Sequence, residues 1–247
     1  MCAAQNPPKL DRASALFVDL DGTLIELASR PELVRIPSKL PALLARLDEA
    51  LSGALAVVSG RPLKELDRLL EPWKGAAAGV HGSERRRTEG TLERAKGGRS
   101  ARALARLRPR LEAFAARDPG LFVEDKETAL ALHYRAAPRL ESEICAWARR
   151  LSRKSAASLR VIEGDRVVEF AAPFPHKGSA IEAFLAEPPF RGRLPVFLGD
   201  DESDEDGFAA VNRLRGISIR VGPLAETRAP FALPSVAAAL LWLEALF

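Results

Sequence analysis

Short unbroken apolar runs alternate with stretches in which leucine recurs every three or four residues. Ala15–Val18 is the first run and reads as a buried strand. Ser38–Leu51 carries leucines at 40, 43, 44 and 47, which is helical spacing, and Gly53 ends that helix. Ala54–Val58 is a second buried strand, Leu63–Leu70 returns to helical periodicity, and Gly75–Val80 is a third strand built of small residues. The same texture resumes late in the chain. A helix opens at His176-Lys177-Gly178 and runs to about Leu185, and Leu194–Leu198 is a strand. Phe208–Leu214 is helical, Ile217–Val221 is a strand, and Ser235–Phe247 is a closing helix. This alternation predicts an α/β fold, a Rossmann-like parallel sheet with right-handed crossovers. Such sheets place ligands at the carboxyl ends of their strands.

Between these halves the pattern changes. Arg99–Arg117 reads as an Arg/Ala/Leu helix, and Leu121–Lys126 and Thr128–Tyr134 as strands joined by a tight turn. Pro138–Lys154 is a helix with Ile144, Trp147 and Leu151 on one face. Ser158–Glu163 and Arg166–Phe170 flank Gly164-Asp165, a hairpin signal. The expectation is a separate α+β domain, residues 98–173, inserted into a domain formed by residues 1–97 and 174–247.

Charge refines this picture little. Net charge is +4, which alone would suit nucleic acid, but arginine is spread through Ala/Leu-rich helices and belongs to solvated faces. Aromatic residues are only 6% of the chain, and no stacking set accompanies the run Glu84-Arg85-Arg86-Arg87. That run reads as a solvated loop. A mild positive field would help recruit a phosphorylated substrate. Cys2 lies in a polar tail and Cys145 in an apolar helical pattern, so no disulfide framework or zinc spacing is present. Cys145 is expected to be a buried small hydrophobe. Residues 1–13 lack an apolar signal core, and no apolar run approaches membrane-spanning length. A cytoplasmic protein is expected, with no nucleic-acid or membrane partner, as a monomer or weak homo-oligomer.

The chemistry concentrates where strands end. Asp19 and Asp21 follow the first strand two apart, a spacing that points both side chains to one face. Gly22 lets the chain turn away. Two converging carboxylates repel unless a cation lies between them or one holds a proton, and hard oxygen ligands suit Mg2+. Ser59, before Gly60-Arg61, offers a hydroxyl and nearby N–H groups to a phosphoryl oxygen, or caps a helix. His81 follows the third strand, so Asp19, Ser59 and His81 are expected to face one crevice. Lys177 stands at a helix start, where cations are disfavoured, which points to carboxylate or phosphate company. The acidic cluster at 200–206, which includes Asp200, Asp201 and Asp204, follows an apolar strand and Gly199, and reads as a metal site in preference to a solvated loop.

Asp19-Leu-Asp-Gly-Thr23, with Ser59, Lys177 and Asp200, resembles the motif set of the haloacid dehalogenase-like (HAD) phosphohydrolases, in the same order. The resemblance implies a HAD core with an inserted C2-type cap. It implies Asp19 as nucleophile and Asp21 as general acid/base, with Ser59 and Lys177 on the phosphoryl oxygens. It also implies Mg2+ held by Asp19, the carbonyl of Asp21 and Asp200, supported by Asp204 and Asp201. Val80–Glu84, Val123–Lys126, Leu132–Arg135 and Val168–Phe170 are rich in hydrogen-bonding side chains. Carboxylates paired with Lys or Arg suit vicinal sugar hydroxyls, though each alone reads as a strand salt bridge. Together with Ser59–Arg61 and Gly199–Asp204 they resemble the trehalose-6-phosphate phosphatase family of that superfamily. The resemblance implies substrate contacts from Arg61, His81, Gly82 and Glu84, and contacts to the distal glucose from Glu124, Lys126 and Glu169. One departure is Ala172, before Pro173, where the family usually has Arg. The implied activity is hydrolysis of trehalose 6-phosphate. Alternatives are another sugar-phosphate phosphatase, or a catalytically silent domain that binds a sugar phosphate and regulates a synthase.

Overall fold

β1 (Ser14–Val18) is buried at every position, so both faces of the sheet around it must be covered. A computed structural model of the chain describes residues 5–28, 30, 33–95, 98–126, 129–155, 159–171, 175–223 and 226–247. It divides into two compact units, Met1–Arg94 with His176–Phe247, and Ala95–Pro175. Ala172 and Pro173 lie outside the described residues.

In the first unit β1 is followed by α1 (Leu40–Ala50), β2 (Leu55–Val58), α2 (Leu63–Leu70), β3 (Ala76–Gly79), β4 (Glu84–Arg86) and β5 (Leu92–Arg94). The second unit holds α3 (Gly98–Ala115), β6 (Phe122–Asp125), β7 (Ala129–His133), α4 (Glu141–Ser155), β8 (Arg160–Gly164) and β9 (Val167–Ala171). The first unit then resumes with α5 (Lys177–Leu185), β10 (Leu194–Gly199), α6 (Glu205–Arg213), β11 (Ile217–Val221), β12 (Phe231–Leu233) and α7 (Val236–Glu244).

The first sheet runs in the order β12-β11-β10-β1-β2-β3-β4-β5. The strands from β12 to β3 are parallel, as the alternating pattern predicts. The chain leaves β1 toward β2 on one side and returns to β10 on the other. β1 and β10 therefore flank a topological switch point, where an open α/β sheet leaves a crevice beyond its strand ends. Leu16, Phe17, Phe184, Phe190 and Phe197 belong to the core under this point, with Phe17 and Phe190 stacked at 5.4 Å.

β4 and β5 correct one expectation. They extend the sheet antiparallel, and Glu84–Arg86 is a buried strand, not a solvated loop. The arginines tolerate this because acids from elsewhere meet them. Arg85 reaches Glu93 at 2.6 Å and Glu187 at 2.7 Å, with its guanidinium over the Phe184 ring. Arg86 reaches Asp67 and the carbonyl of Gly75. Cys145 is half-buried rather than buried, 4.0 Å from the Tyr134 hydroxyl, and burial pushes its thiol pKa up.

The second unit is a four-stranded antiparallel sheet, β6-β7-β9-β8. Leu130, Leu132, Val168 and Phe170 join Leu107, Leu111, Phe114, Ile144 and Leu151 of α3 and α4 in one core. Side chains alternate along a strand, so Glu124, Ala131 and Glu169, which are paired across β6, β7 and β9, lie on the opposite face from that core.

Candidate active site

At the switch point the residue after β1 is Asp19, whose N–H donates to the carbonyl of Leu198 on β10 (2.9 Å). The residue after β10 is Asp200. Carboxylate oxygens of Asp19, Asp200 and Asp204 come within 4.8 Å of one another. Gly22 makes this approach possible. Its φ is +76°, and a Cβ there would lie 2.0 Å from Asp200 Oδ2, so glycine serves both the turn and the contact.

Lys177 is the first residue of α5 and only 2% exposed. Its Nζ lies 3.0 Å from Asp19 Oδ1 and donates to Asp204 Oδ1 at 2.7 Å. A cation at a helix start is thereby explained, because the carboxylates outweigh the local dipole. The second oxygen of Asp204 accepts the backbone N–H groups of Asp200 (3.0 Å) and Asp201 (3.1 Å), so one carboxylate braces both the lysine and the acidic loop. Asp201 in turn accepts from the N–H and hydroxyl of Ser203. Thr23 donates to Asp200 at 3.3 Å.

Burial pushes Asp19 up to about 6, an effect that Lys177 partly offsets. Burial, and then neighbouring carboxylates, push Asp200 and Asp204 well above the usual range. Burial works against the charge on Lys177, but Asp19, Asp204 and Asp201 hold its pKa well above the ordinary value. Burial also opposes the Asp201 charge, which Lys177, Ser203 and His81 restore, leaving its pKa lowered. One buried lysine does not neutralise Asp19, Asp200, Asp201 and Asp204. A divalent cation would offset most of the excess, and a hard ion such as Mg2+ fits a donor set made only of carboxylate oxygens.

Asp21 departs from the convergence its spacing suggests. β1 ends at Val18, and a turn closes where Gly22 N–H meets the carbonyl of Ile25 (2.8 Å). The Asp21 carboxylate accepts Arg61 Nε at 2.6 Å and Nη2 at 2.7 Å, and is not in the Asp19 cluster. Arg61 also bonds Glu65, one helical turn on. Ser59 is buried and its hydroxyl accepts the Arg61 N–H (3.1 Å). It does not cap α2, whose N-cap position is Pro62.

The loop after β3 is strapped to this segment, since Val80 N–H bonds the Arg61 carbonyl and His81 N–H the Ser59 carbonyl, both at 3.0 Å. Val80 and His81 take positive φ, +46° and +53°, a conformation unfavourable for side-chain-bearing residues and most of all for a β-branched valine. Asp19, Ser59 and His81 thus all sit at the carboxyl ends of neighbouring strands. Glu84 is placed differently, accepting Leu63 N–H (2.8 Å) and Arg94 Nε (3.3 Å), which ties it to the start of α2. Gly82 takes φ +103° beside the carbonyl of His176.

In the second unit the polar row is assembled across strands. Lys126 Nζ donates to Glu169 Oε2 at 2.7 Å. Glu124 lies 2.8 Å from His133 Nε2, and the His133 ring stacks on Phe122 at 4.3 Å. Burial tends to raise Glu124, but His133 and Lys126 hold its pKa below the ordinary value. Ala131, between Glu124 and Glu169 in register, keeps the row clear of a bulky side chain.

Glu65 is not among the residues the sequence singles out, and Thr23 and His133 enter there only as members of longer stretches. Glu65 had a signal, since Arg61 and Glu65 are an i,i+4 pair of opposite charge. His133 and Glu124 are diagonal neighbours on adjacent strands, and that relation depends on register.

Comparison with known proteins adds lineage to this geometry. Residues 17–236 match the family described as Trehalose-phosphatase. The chain is 42% identical over 238 residues to a trehalose-6-phosphate phosphatase of Escherichia coli (strain K12), covering 96% of this chain and 88% of that protein. It is 43% identical over 212 residues to a probable trehalose-phosphate phosphatase of Sinorhizobium fredii, covering 85% and 78%. Its fold is shared with the C-terminal domain of the C. albicans trehalose-6-phosphate phosphatase, at TM-score 0.85, 20% identity and 98% coverage of both chains.

Proposed function

The chain belongs to the trehalose-phosphatase family, and we propose that it is a Mg2+-dependent phosphatase that hydrolyses trehalose 6-phosphate through an aspartyl-phosphate. The observation that carries the chemistry is the buried Asp19–Lys177–Asp204 cluster beside Asp200 at the switch point of the sheet. Asp19, Asp200 and the carbonyl of Asp21 would hold Mg2+, with Asp204 and Asp201 supporting them. Mg2+, when bound, supplies positive charge to the transferring phosphoryl oxygens and to Asp19.

The remaining work falls to the protein. Lys177 and Ser59 hold phosphoryl oxygens, and Lys177 keeps the attacking Asp19 oxygen beside the phosphorus. Asp19 forms a bond to phosphorus as the bond from phosphorus to the sugar oxygen breaks. Asp21 gives its proton to that oxygen, releasing a neutral alcohol. Asp21, now a carboxylate, takes a proton from a water that attacks the same phosphorus. The Asp19–phosphorus bond breaks and phosphate departs, which restores both aspartates. His81 and Gly82, at the end of β3, complete the substrate-facing segment. Glu84 supports it by fixing the start of α2.

Sugar recognition is assigned to Glu124, Lys126 and Glu169 of the second unit, the cap of this reading, with residues 1–97 and 174–247 as its core domain. Their carboxylates accept from sugar hydroxyls and the ammonium donates to them. The substrate is a small sugar phosphate and the setting cytoplasmic. Among the described residues no helix is long and apolar enough to cross a membrane. Arg85 and Arg86 are committed to acids within the fold, which argues against a nucleic-acid surface there.

Phosphate release is to be measured over trehalose 6-phosphate, sucrose 6-phosphate and glucose 6-phosphate, with Mg2+ and with EDTA. Trehalose 6-phosphate should be preferred and EDTA should abolish turnover. Equal rates on all three sugars would reduce the reading to a general sugar-phosphate phosphatase, and no turnover would leave a silent binding domain.

A further inference from the structure

We propose that Arg61 is a positioning residue for proton transfer. It holds the Asp21 carboxyl in the orientation that faces the leaving oxygen, and Glu65 holds Arg61. The inference rests on the reading of Asp21 as proton donor.

Asp21 needs such a brace. Its side chain is 27% exposed and stands in a turn, outside the packed strand. An isolated carboxyl there would rotate about its last torsion, which is broad and roughly two-fold. Arg61 removes that freedom, because Nε and Nη2 engage the two oxygens at 2.6 and 2.7 Å, and a planar fork on a planar carboxylate fixes its plane. Lysine offers no such geometry.

The guanidinium is itself immobilised. Its Nη1 bonds Glu65, its backbone N–H bonds Ser59 Oγ, and its carbonyl accepts Val80 N–H at 3.0 Å. The same segment that presents the phosphate-holding hydroxyl of Ser59 therefore sets the acid. When Asp21 carries its proton, the oxygen without it keeps its bond to the guanidinium. When the bond from phosphorus to the substrate oxygen breaks, its electron pair stays on that oxygen, the Asp21 proton moves to it, and both bonds of the fork re-form on the carboxylate.

The test uses the intact protein and a series of substituted phenyl phosphates, from phenyl to 2,4-dinitrophenyl. These vary the acidity of the leaving phenol and contain no sugar. A poor leaving group needs the proton and a good one does not. Asp21→Asn, the reference, should steepen the dependence of kcat/KM on leaving-group acidity. Arg61→Met should steepen it in the same sense. It should lose about tenfold to a hundredfold on phenyl phosphate and less than about threefold on 2,4-dinitrophenyl phosphate. Arg61→Lys, which keeps charge without the fork, should resemble Arg61→Met more than the parent protein. Glu65→Gln touches neither substrate nor Asp21 and lies on a partly exposed helix face. It should fold normally and show a smaller shift of the same slope. A uniform loss across the series in Arg61→Met and Glu65→Gln, with Asp21→Asn steepened, would overturn the positioning role. An unchanged slope in Asp21→Asn would overturn the reading of Asp21, and the proposal with it.

Discussion

The pair Lys126–Glu169 allows recognition to be separated from stability. Its charged atoms are 2.7 Å apart, and the side chains are only 10% and 5% exposed. At an effective dielectric of about 20, that separation corresponds to an attraction of about 6 kcal/mol. Desolvating two ions costs several kcal/mol each, so the pair as a whole contributes little to stability. Removing one partner is different. Lys126→Met leaves a buried carboxylate and Glu169→Leu a buried ammonium, and each should cost about 3–5 kcal/mol. The double variant Lys126→Met/Glu169→Leu strands neither member of the pair, leaves Glu124 beside His133, and should return to within about 2 kcal/mol of the parent protein. Recovery of sugar recognition is not expected with it. Sugar hydroxyls that lose their partners cost about 1–3 kcal/mol, or roughly fivefold to 150-fold in kcat/KM. The measurements are urea unfolding of all four proteins, and kcat/KM for trehalose 6-phosphate against phenyl phosphate. A double variant that regains stability and keeps the full preference for trehalose 6-phosphate would refute the argument that this pair reads the sugar.

Further outcomes follow from the first unit. Asp19→Asn should keep its fold and lose turnover by several orders of magnitude, because a neutral amide is no nucleophile toward phosphorus. Residual activity within tenfold of the parent would remove Asp19 from that role. Millimolar Mg2+ should raise the melting temperature, because a ligand of the folded state stabilises it. Asp200→Ala should abolish that rise, and its persistence would place the ion elsewhere. Burial raises Asp19 to about 6, so a proton bound there stabilises the metal-free fold below that pH, and this contribution is lost as pH rises through 6. Proton and cation therefore compete. The Mg2+-induced rise should shrink between pH 7 and pH 5, and a rise equally large at pH 5 would count against Asp19 as a ligand. Gly22→Ala should destabilise by more than about 1 kcal/mol and weaken Mg2+ binding, since both its φ and Asp200 exclude a Cβ. Unchanged melting and Mg2+ response would contradict that packing.

Local chemistry was legible in the sequence. Ala15–Val18 is long enough, and apolar enough on both faces, to be a central parallel strand, and Asp19 is the residue at which it must end. The same holds for Ala54–Val58 before Ser59 and Leu194–Leu198 before Asp200. The helical spacing of Ile144, Trp147 and Leu151, and the Gly164-Asp165 turn, likewise act over a few residues. Lys177 was legible as an anomaly, a cation at a helix start, though not through its partners.

What only the tertiary structure decided depends on distant neighbours or on register. Asp21 turns from Asp19 to Arg61, a pairing that exists only because β2 lies beside β1. Arg85 and Arg86 look solvated by composition. They are buried because Glu93, Glu187 and Asp67 arrive from other elements to carry the countercharge. β12 is too short to announce itself, and forms because β11 offers an open edge. The row Glu124–Ala131–Glu169 is set by the pairing of β6, β7 and β9. A shift of one residue would turn each of those side chains to the other face. Apolar runs and turn residues encode themselves, because burial and backbone sterics act within a few residues. The neutralisation of buried charge does not, because it is settled between groups far apart in the chain that only the finished fold brings within a hydrogen bond of each other.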